Sequence, residues 1–319
     1  MFAIVIESIA ALLVLGMLYQ YVSSKRDQRK LPPMGEMIDI GTHRLHVLHS
    51  QSFQTGPSVI LEAGGGMTSS SWMLVQPEIA KFANCISYDR AGLGYSEQDP
   101  SPATILNSVN DLYQLLAKLN LPKPYILVGH SYAGLLNQLY AKLHPDDVAG
   151  IVLVDATHEE WLKIVPFPSA GALTLFRILT FFGVLRLFIR KLFPLPKTLP
   201  VQMRQRIYAE ASVSKGIVNN KAIFTKTNIK KIFAAFADIP RLNKPLTVIT
   251  AGLRSGPERK FAEKQTVLQK DLVSRSIQGQ QVIAEKSGHF IPFWQPELIV
   301  SAVDEMIKKL EKEGSANPL

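Results

Sequence analysis

The chain is 319 residues long, 47% apolar and 19% charged, which is enough to build a large core and excludes disorder as its overall state. A single cysteine, Cys85, excludes an internal disulfide and a cysteine-based zinc site. The formal net charge of +9 admits an anionic partner, nucleic acid or membrane, so where that charge sits along the chain matters.

Phe2 to Val22 is almost unbroken apolar sequence, interrupted by Glu7, Ser8, Gly16 and Gln20. At about 1.5 Å per residue such a helix measures about 31 Å, close to the hydrocarbon thickness of a bilayer. Lys25, Arg26, Arg29 and Lys30 follow the run, and no Lys or Arg precedes it. A cleaved secretory signal has the opposite order, with charge first, a shorter apolar core and a small-residue cleavage site. Residues 1–30 are therefore expected to form a single-pass membrane anchor with a basic flank. Positive flanks favour the cytoplasmic side, which would place the rest of the chain, including any catalytic domain, in the cytoplasm.

After Leu31-Pro32-Pro33, β-rich runs alternate with helical patterns. Ile38 to Ser50 reads as a strand pair turning near Gly41, with His43, His46 and His49 on its surface. Val59 to Ala63 reads as a buried strand entering Gly64-Gly65-Gly66. A helix is expected from Trp72 to Phe82 and a strand at Cys85 to Tyr88, with Cys85 in the core. Ala103 to Leu119 carries apolar residues at helical spacing. Tyr125 to Val128 is a strand, Leu135 to Leu143 a helix, and Ile151–Val154, Leu246–Thr250 and Val282–Ala284 complete the strand set. Strands and helices alternating in this way predict βαβ units and a mostly parallel sheet.

About 90 residues without a strand pattern separate Val154 from Leu246, too many for a simple connection, and they predict an inserted helical cap. Between Trp161 and Pro240 there are 13 Lys or Arg against two acids, Glu210 and Asp238. The basic character of the chain thus belongs to this segment. Its cations alternate with Leu, Phe and Ile rather than with nucleic-acid-stacking aromatics, so no nucleic-acid partner is expected. Leu175 to Lys191 reads as a basic amphipathic helix pair or one interfacial helix. Its apolar residues either lean on the membrane surface or pack the cap onto the rest of the protein.

The strongest chemical signal is Val128-Gly129-His130-Ser131-Tyr132-Ala133-Gly134, between a strand and a helix. A serine on such a tight turn needs small neighbours, because the backbone is strained and closely packed there. A candidate base is His289, in Glu285-Lys286-Ser287-Gly288-His289-Phe290, just beyond the last predicted strand.

This ordered set resembles the α/β-hydrolase superfamily over about residues 36 to 312. The matching pieces are Gly64-Gly65-Gly66 before Trp72, Tyr88-Asp89-Arg90-Ala91-Gly92-Leu93-Gly94-Tyr95-Ser96, the serine turn, and Ser287-Gly288-His289 followed by Gln295-Pro296-Glu297. The resemblance implies an eight-stranded, mostly parallel sheet with a helical cap inserted after the sixth strand. It divides the chain into the anchor at 1–30, a first core part at 31–156, the cap at 157–243 and a second core part at 244–319. It implies Ser131 as nucleophile, His289 as base, and an oxyanion hole formed by the N–H groups of Tyr132 and Gly65. The acid is Asp155, directly after the sixth strand, or Glu258, in the loop after the seventh, with Asp155 preferred. Asp89 is expected to order the loop after the fourth strand. The implied activity is hydrolysis of a carboxylic ester, with thioesterase, amidase and non-catalytic binding as alternatives. No cofactor or metal is implied. The expected partners are a small acyl ester and membrane lipid.

Overall fold

The apolar runs Ser58–Glu62, Tyr125–His130 and Val148–Val154 are buried at every position in the computed structural model, which describes residues 1–50, 56–164, 170–213, 225–254 and 256–316. Strands covered on both faces carry such continuous rather than alternating apolar sequence. In chain order the strands are β1 (Glu36–Asp39), β2 (Arg44–Ser50), β3 (Ser58–Glu62), β4 (Cys85–Tyr88), β5 (Tyr125–His130), β6 (Val148–Val154), β7 (Leu242–Ala251) and β8 (Ser276–Ala284). They form one eight-stranded sheet in the order β1-β2-β4-β3-β5-β6-β7-β8. β2 runs antiparallel to β1 and β4, and the remaining neighbours are parallel. The chain reverses its direction of travel across the sheet between β3 and β5, and the carboxyl ends at such a switch point are where open α/β sheets bind ligands.

The helices in chain order are α1 (Phe2–Lys30), α2 (Gln76–Ile79), α3 (Ile105–Leu119), α4 (Ala133–Leu143), α5 (Trp161–Ile164), α6 (Ala170–Phe181), α7 (Val184–Leu192), α8 (Val201–Ala211), α9 (Lys226–Phe236), α10 (Ala262–Ser274), α11 (Ile291–Trp294) and α12 (Pro296–Ala316). On one face Leu112 and Leu116 of α3 and Leu135 and Leu139 of α4 join Ile60, Leu127 and Ile151 in a single core. On the other face Ile79 of α2 and Ile299, Val303 and Met306 of α12 cover Val59, Ile126 and Val152. α3 starts where the Thr104 hydroxyl accepts the Asn107 N–H, and it ends at Asn120 in the left-handed conformation. α5 to α9 all fall between β6 and β7 as the cap. Leu195, Leu199 and Ile207 of the cap pack on Phe293 beside the sheet edge.

Several sequence expectations change. The Trp72–Phe82 helix is a 3-10 turn, Ser69–Trp72, followed by the short α2. His43 and His46 are buried rather than on the surface: His46 because β2 lies inside the sheet and the loop after β4 folds over it, and His43, just before β2, because it lies against Asp99 and Asp111. His46 Nδ1 there contacts Asp89 Oδ2 at 2.9 Å. Between Leu175 and Lys191, by contrast, the helix pair expected as one of two alternatives is present, as α6 and α7, bent by 108°.

Candidate active site

Ser131 sits between the end of β5 and the start of α4, with φ at +54° in the left-handed region. That strain persists because its surroundings fix it. The Ser131 N–H donates to the Val154 carbonyl at 3.0 Å, and the Ser131 carbonyl accepts from Gly134 and Thr157. A Cβ on Gly129 would lie 2.6 Å from Asn137 Nδ2, and one on Gly134 2.3 Å from Ala156 Cβ, so neither position admits a side chain. Ala133, at the last small position of the turn, is fully buried and fits without such a conflict.

β8 delivers His289 to the same edge. Its Nε2 lies 2.9 Å from Ser131 Oγ, and its Nδ1 lies 2.7 Å from Asp155 Oδ2. Asp155 directly follows β6, with φ at +39° and its N–H donated to the Ile249 carbonyl. Its Oδ1 accepts from the Ala251 N–H at 3.1 Å. Arg254 grips the same carboxylate in a fork, Nη1 to Oδ2 at 3.0 Å and Nη2 to Oδ1 at 2.8 Å. Burial alone would raise the Asp155 carboxyl, but the His289 hydrogen bond and the Arg254 charge outweigh it and hold the group below the usual carboxylate range.

The structure thus brings Ser131, His289 and Asp155 into one hydrogen-bonded line. Glu258 lies in the short helix Gly256–Phe261, and its side chain is outside the described residues. His130 adds a brace that the sequence did not reveal. Its imidazole is completely buried, which pushes its pKa down to about 3, and Nε2 donates to the His289 carbonyl at 2.8 Å. The ring also lies against that of His289, with centroids 4.8 Å apart.

Gly65 lines the cavity that Ser131 and His289 open into, a space of about 360 Å³. Arg90 fixes the loop before it by donating to the carbonyls of Ala63 and Gly64. Tyr132 forms the N-terminal boundary of α4, where backbone N–H groups precede the helical hydrogen-bond ladder. Met67, Leu93, Ile189, Phe193, Ile207 and Phe290 make the cavity mainly apolar. One cap acid, Glu210, reaches into it and accepts from the hydroxyls of Thr68 at 2.5 Å and Ser70 at 2.8 Å. Burial raises Glu210 to about 7, with those two hydroxyls opposing the rise. Asp89 accepts the N–H groups of Ser69 and Tyr95 and so orders the loop after β4. Among the described residues, no group of three or more His, Cys, Asp or Glu is arranged to hold a metal ion.

Besides the bracing role of His130, sequence reasoning missed Arg254 and Glu210. Arg254 stands in the loop after β7, where the resemblance directs attention to acids, and a cation there drew none. Glu210 offered one signal, as one of two acids in a strongly basic segment.

A sequence profile described as the alpha/beta hydrolase fold matches residues 57–209. An "AB hydrolase superfamily protein" of Gibberella zeae is 26% identical over 298 residues, covering 79% of this chain and 86% of that protein. The vacuolar membrane protein YNL115C of Saccharomyces cerevisiae is 30% identical over 110 residues, which cover 33% of this chain and 17% of that protein. The chain spans less than half the length of several curated relatives that it matches at 30% identity or more. The solved structure of a thermophilic esterase from Thermogutta terrifontis superposes with a TM-score of 0.63 at 20% identity, covering 86% of this chain and 99% of that one. With the sheet order, the cap position and the strained serine turn, these matches show that the chain has the alpha/beta hydrolase fold.

Proposed function

We propose that the protein is a membrane-anchored serine hydrolase that cleaves a carboxylic ester of a lipophilic acyl group, with Ser131, His289 and Asp155 as its triad. The observation that carries this reading is the unbroken line from Ser131 Oγ through the His289 ring to Asp155, with both hydrogen bonds shorter than 3 Å. In this mechanism His289 Nε2 takes the Ser131 proton as Oγ attacks the ester carbonyl carbon. The electron pair of the carbonyl moves to oxygen, and the N–H groups of Tyr132 and Gly65 receive the oxyanion. One such donor is worth about 2.7–4 kcal/mol in the transition state. Asp155 accepts the His289 Nδ1–H throughout and stabilises the imidazolium, and Arg254 keeps Asp155 ionised.

As the tetrahedral intermediate collapses, His289 returns its proton to the leaving alcohol and Ser131 retains the acyl group. Water, activated by the same Nε2, then hydrolyses the acyl-enzyme. The apolar cavity lining suits an acyl chain. α1 is the one described helix that is long and apolar enough by itself to cross a membrane. Its basic flank favours a cytoplasmic catalytic domain. The test is covalent labelling by a fluorophosphonate together with turnover of p-nitrophenyl esters of graded chain length. Labelling of the parent but not of Ser131→Ala, with preference for longer chains, is the expected result. A parent protein that neither labels nor turns over any ester would overturn the reading in favour of a non-catalytic binding protein.

A further inference from the structure

The part of α1 that is exposed at every position falls short of the length of a bilayer span. Met1 to Leu15 are exposed throughout, and from Gly16 onward a half-buried stripe (Gly16, Met17, Gln20, Ser23, Ser24, Asp27) faces the cap. Phe2 to Leu15 amounts to about 21 Å of helix, whereas the hydrocarbon core needs about 30 Å. The missing length is Gly16 to Val22, and the cap already packs against that stretch. We propose that the bend between α6 and α7 is sunk in the leaflet from which α1 emerges, so that the cavity mouth opens to lipid and the substrate is an acyl ester already resident in that leaflet. This rests on the reading of α1 as a membrane span.

The contact is made backbone to backbone. A Cβ on Gly16 would lie 2.5 Å from the Phe182 carbonyl oxygen, and one on Gly183 3.1 Å from the Gly16 carbonyl oxygen. Gly183 also has φ at +71°, which lets the chain turn by 108° between α6 and α7 at this point. Gly16 precedes Val22 by about 9 Å of helix, so the bend lies about that far inside the hydrocarbon boundary. The outward side chains of the two helices suit that depth. Leu175, Ile178, Phe181, Leu187, Phe188 and Leu192 are between 47% and 64% exposed.

Polar groups lead back out to water. Arg186 donates to Gln20 Oε1 at 3.0 Å and pairs with Asp27, running its stem along the apolar face with its head at the flank. Gln20 Nε2 donates to the Ser212 carbonyl at 3.0 Å. Arg26, Lys30, Arg186 and Arg190 share one cleft between α1 and α7, at the level where anionic headgroups would meet them. A second cavity of about 210 Å³ has Ser24, Asp27 and Gln28 of α1 in its wall, and it shares Tyr95 and Glu210 with the Ser131 cavity. The two cavities thus adjoin between the exit of α1 and the nucleophile, both mainly apolar, with the ionic side chains Asp27, Arg186 and Arg206 standing in the outer wall.

Depth-dependent quenching of the full chain in phosphatidylcholine–phosphatidylglycerol vesicles tests this. A fluorophore is placed at Phe188→Cys, Leu12→Cys or Lys118→Cys in turn. The native Cys85 is buried and is replaced by alanine in all three. Lipids carry the quencher either near the headgroup or at the chain end. The expected result is loss of emission at Phe188→Cys with the headgroup-proximal quencher, loss at Leu12→Cys with the chain-end quencher, and no change at Lys118→Cys on α3. Quenching at Leu12→Cys without any at Phe188→Cys overturns the embedded bend and leaves the span intact. Absence of quenching at Leu12→Cys overturns the span, and the embedded bend with it.

Discussion

At the carboxyl edge of the sheet, buried charges sit with named partners: Asp155 with Arg254 and His289, Glu62 with Arg90 and Tyr88, Asp89 with His46. Across α6 and α7 the arrangement is the reverse, with Leu187 and Phe188 exposed and the cations Arg190 and Lys191 directly beside them. Burying a charge is costly unless it is paired and hydrogen-bonded, so the first region pairs its charges where water is excluded. The second region exposes apolar surface as though its solvent were not water. The contrast means that substitutions of the same chemical kind should act through different measurements in the two regions, rate and folding at the sheet edge, lipid access at the cap.

The largest effect is expected from breaking the line of hydrogen bonds at Asp155. Asp155→Asn preserves shape but removes the acceptor that fixes the His289 tautomer, and kcat for an activated ester should fall by about 10⁴-fold. The same assay applied to Glu258→Gln should leave kcat near the parent value. If Glu258→Gln abolished turnover and Asp155→Asn spared it, the acid would have to be reassigned.

Arg254→Met should act mainly on folding. It leaves a fully buried carboxylate without its bidentate cation, and removing one partner of a buried ion pair costs about 3 kcal/mol. Urea unfolding of the detergent-solubilised protein would read this as a lower midpoint with an unchanged slope. The penalty should shrink as acid protonates Asp155, whose folded-state pKa is depressed. Stability supplied by such a carboxylate is present above its unfolded pKa and is lost as pH falls towards the folded one.

Glu210 has the opposite sign. Its folded-state pKa is raised from an ordinary 4.5 to about 7, so between those values the folded protein holds more protons than the unfolded chain. Its contribution to stability therefore falls as pH rises through that window and stays reduced above it. Glu210→Gln, which retains groups able to bond the Thr68 and Ser70 hydroxyls, should flatten the decline in Tm between pH 5 and 8 only in part, because Glu62 and Asp111 are also raised to about 7. An unaltered pH profile of Tm in this variant would show that Glu210 is ionised at no cost.

Much of the sheet edge was legible in the sequence because local chemistry determines it. A serine between Gly129 and Ala133 after a continuous apolar run can occupy few backbone arrangements, and the unbroken apolar runs of β3, β5 and β6 mark strands covered on both faces. β8 was read only from Val282 because Gln278, Gly279, Gln280 and Gln281 hide its earlier part, which lies half-exposed at the sheet edge and needs no apolar run. The buried His43 and His46, before and within β2, were misread because alternation reports the two faces of a strand, not the segments that later cover one of them. Arg254, Glu210 and the Gly16–Phe182 contact share another cause. Each acquires its role from a partner 99, 142 or 166 residues away, and no local pattern encodes so distant a pairing.

The smallest effect on folding should come from the cap face, where it sharpens the contrast most. Leu187 is 64% exposed and lines neither cavity leading to Ser131. Leu187→Gln should therefore change the stability of the detergent-solubilised protein by no more than about 0.5 kcal/mol, as for an ordinary surface substitution. A short-chain ester dissolved in water should be hydrolysed at the parent rate, since no group at the sheet edge has moved. With the cap embedded as proposed, the same variant should turn over an ester dissolved in vesicles more slowly, because an amide in hydrocarbon must keep water or lose its hydrogen bonds, and either outcome would lift the cap from the lipid. Equal slowing on both substrates would place Leu187 in the folding of the cap. Slowing on the vesicle substrate alone would place it at the lipid surface, and the two regions would then be distinguished by the medium that each one faces.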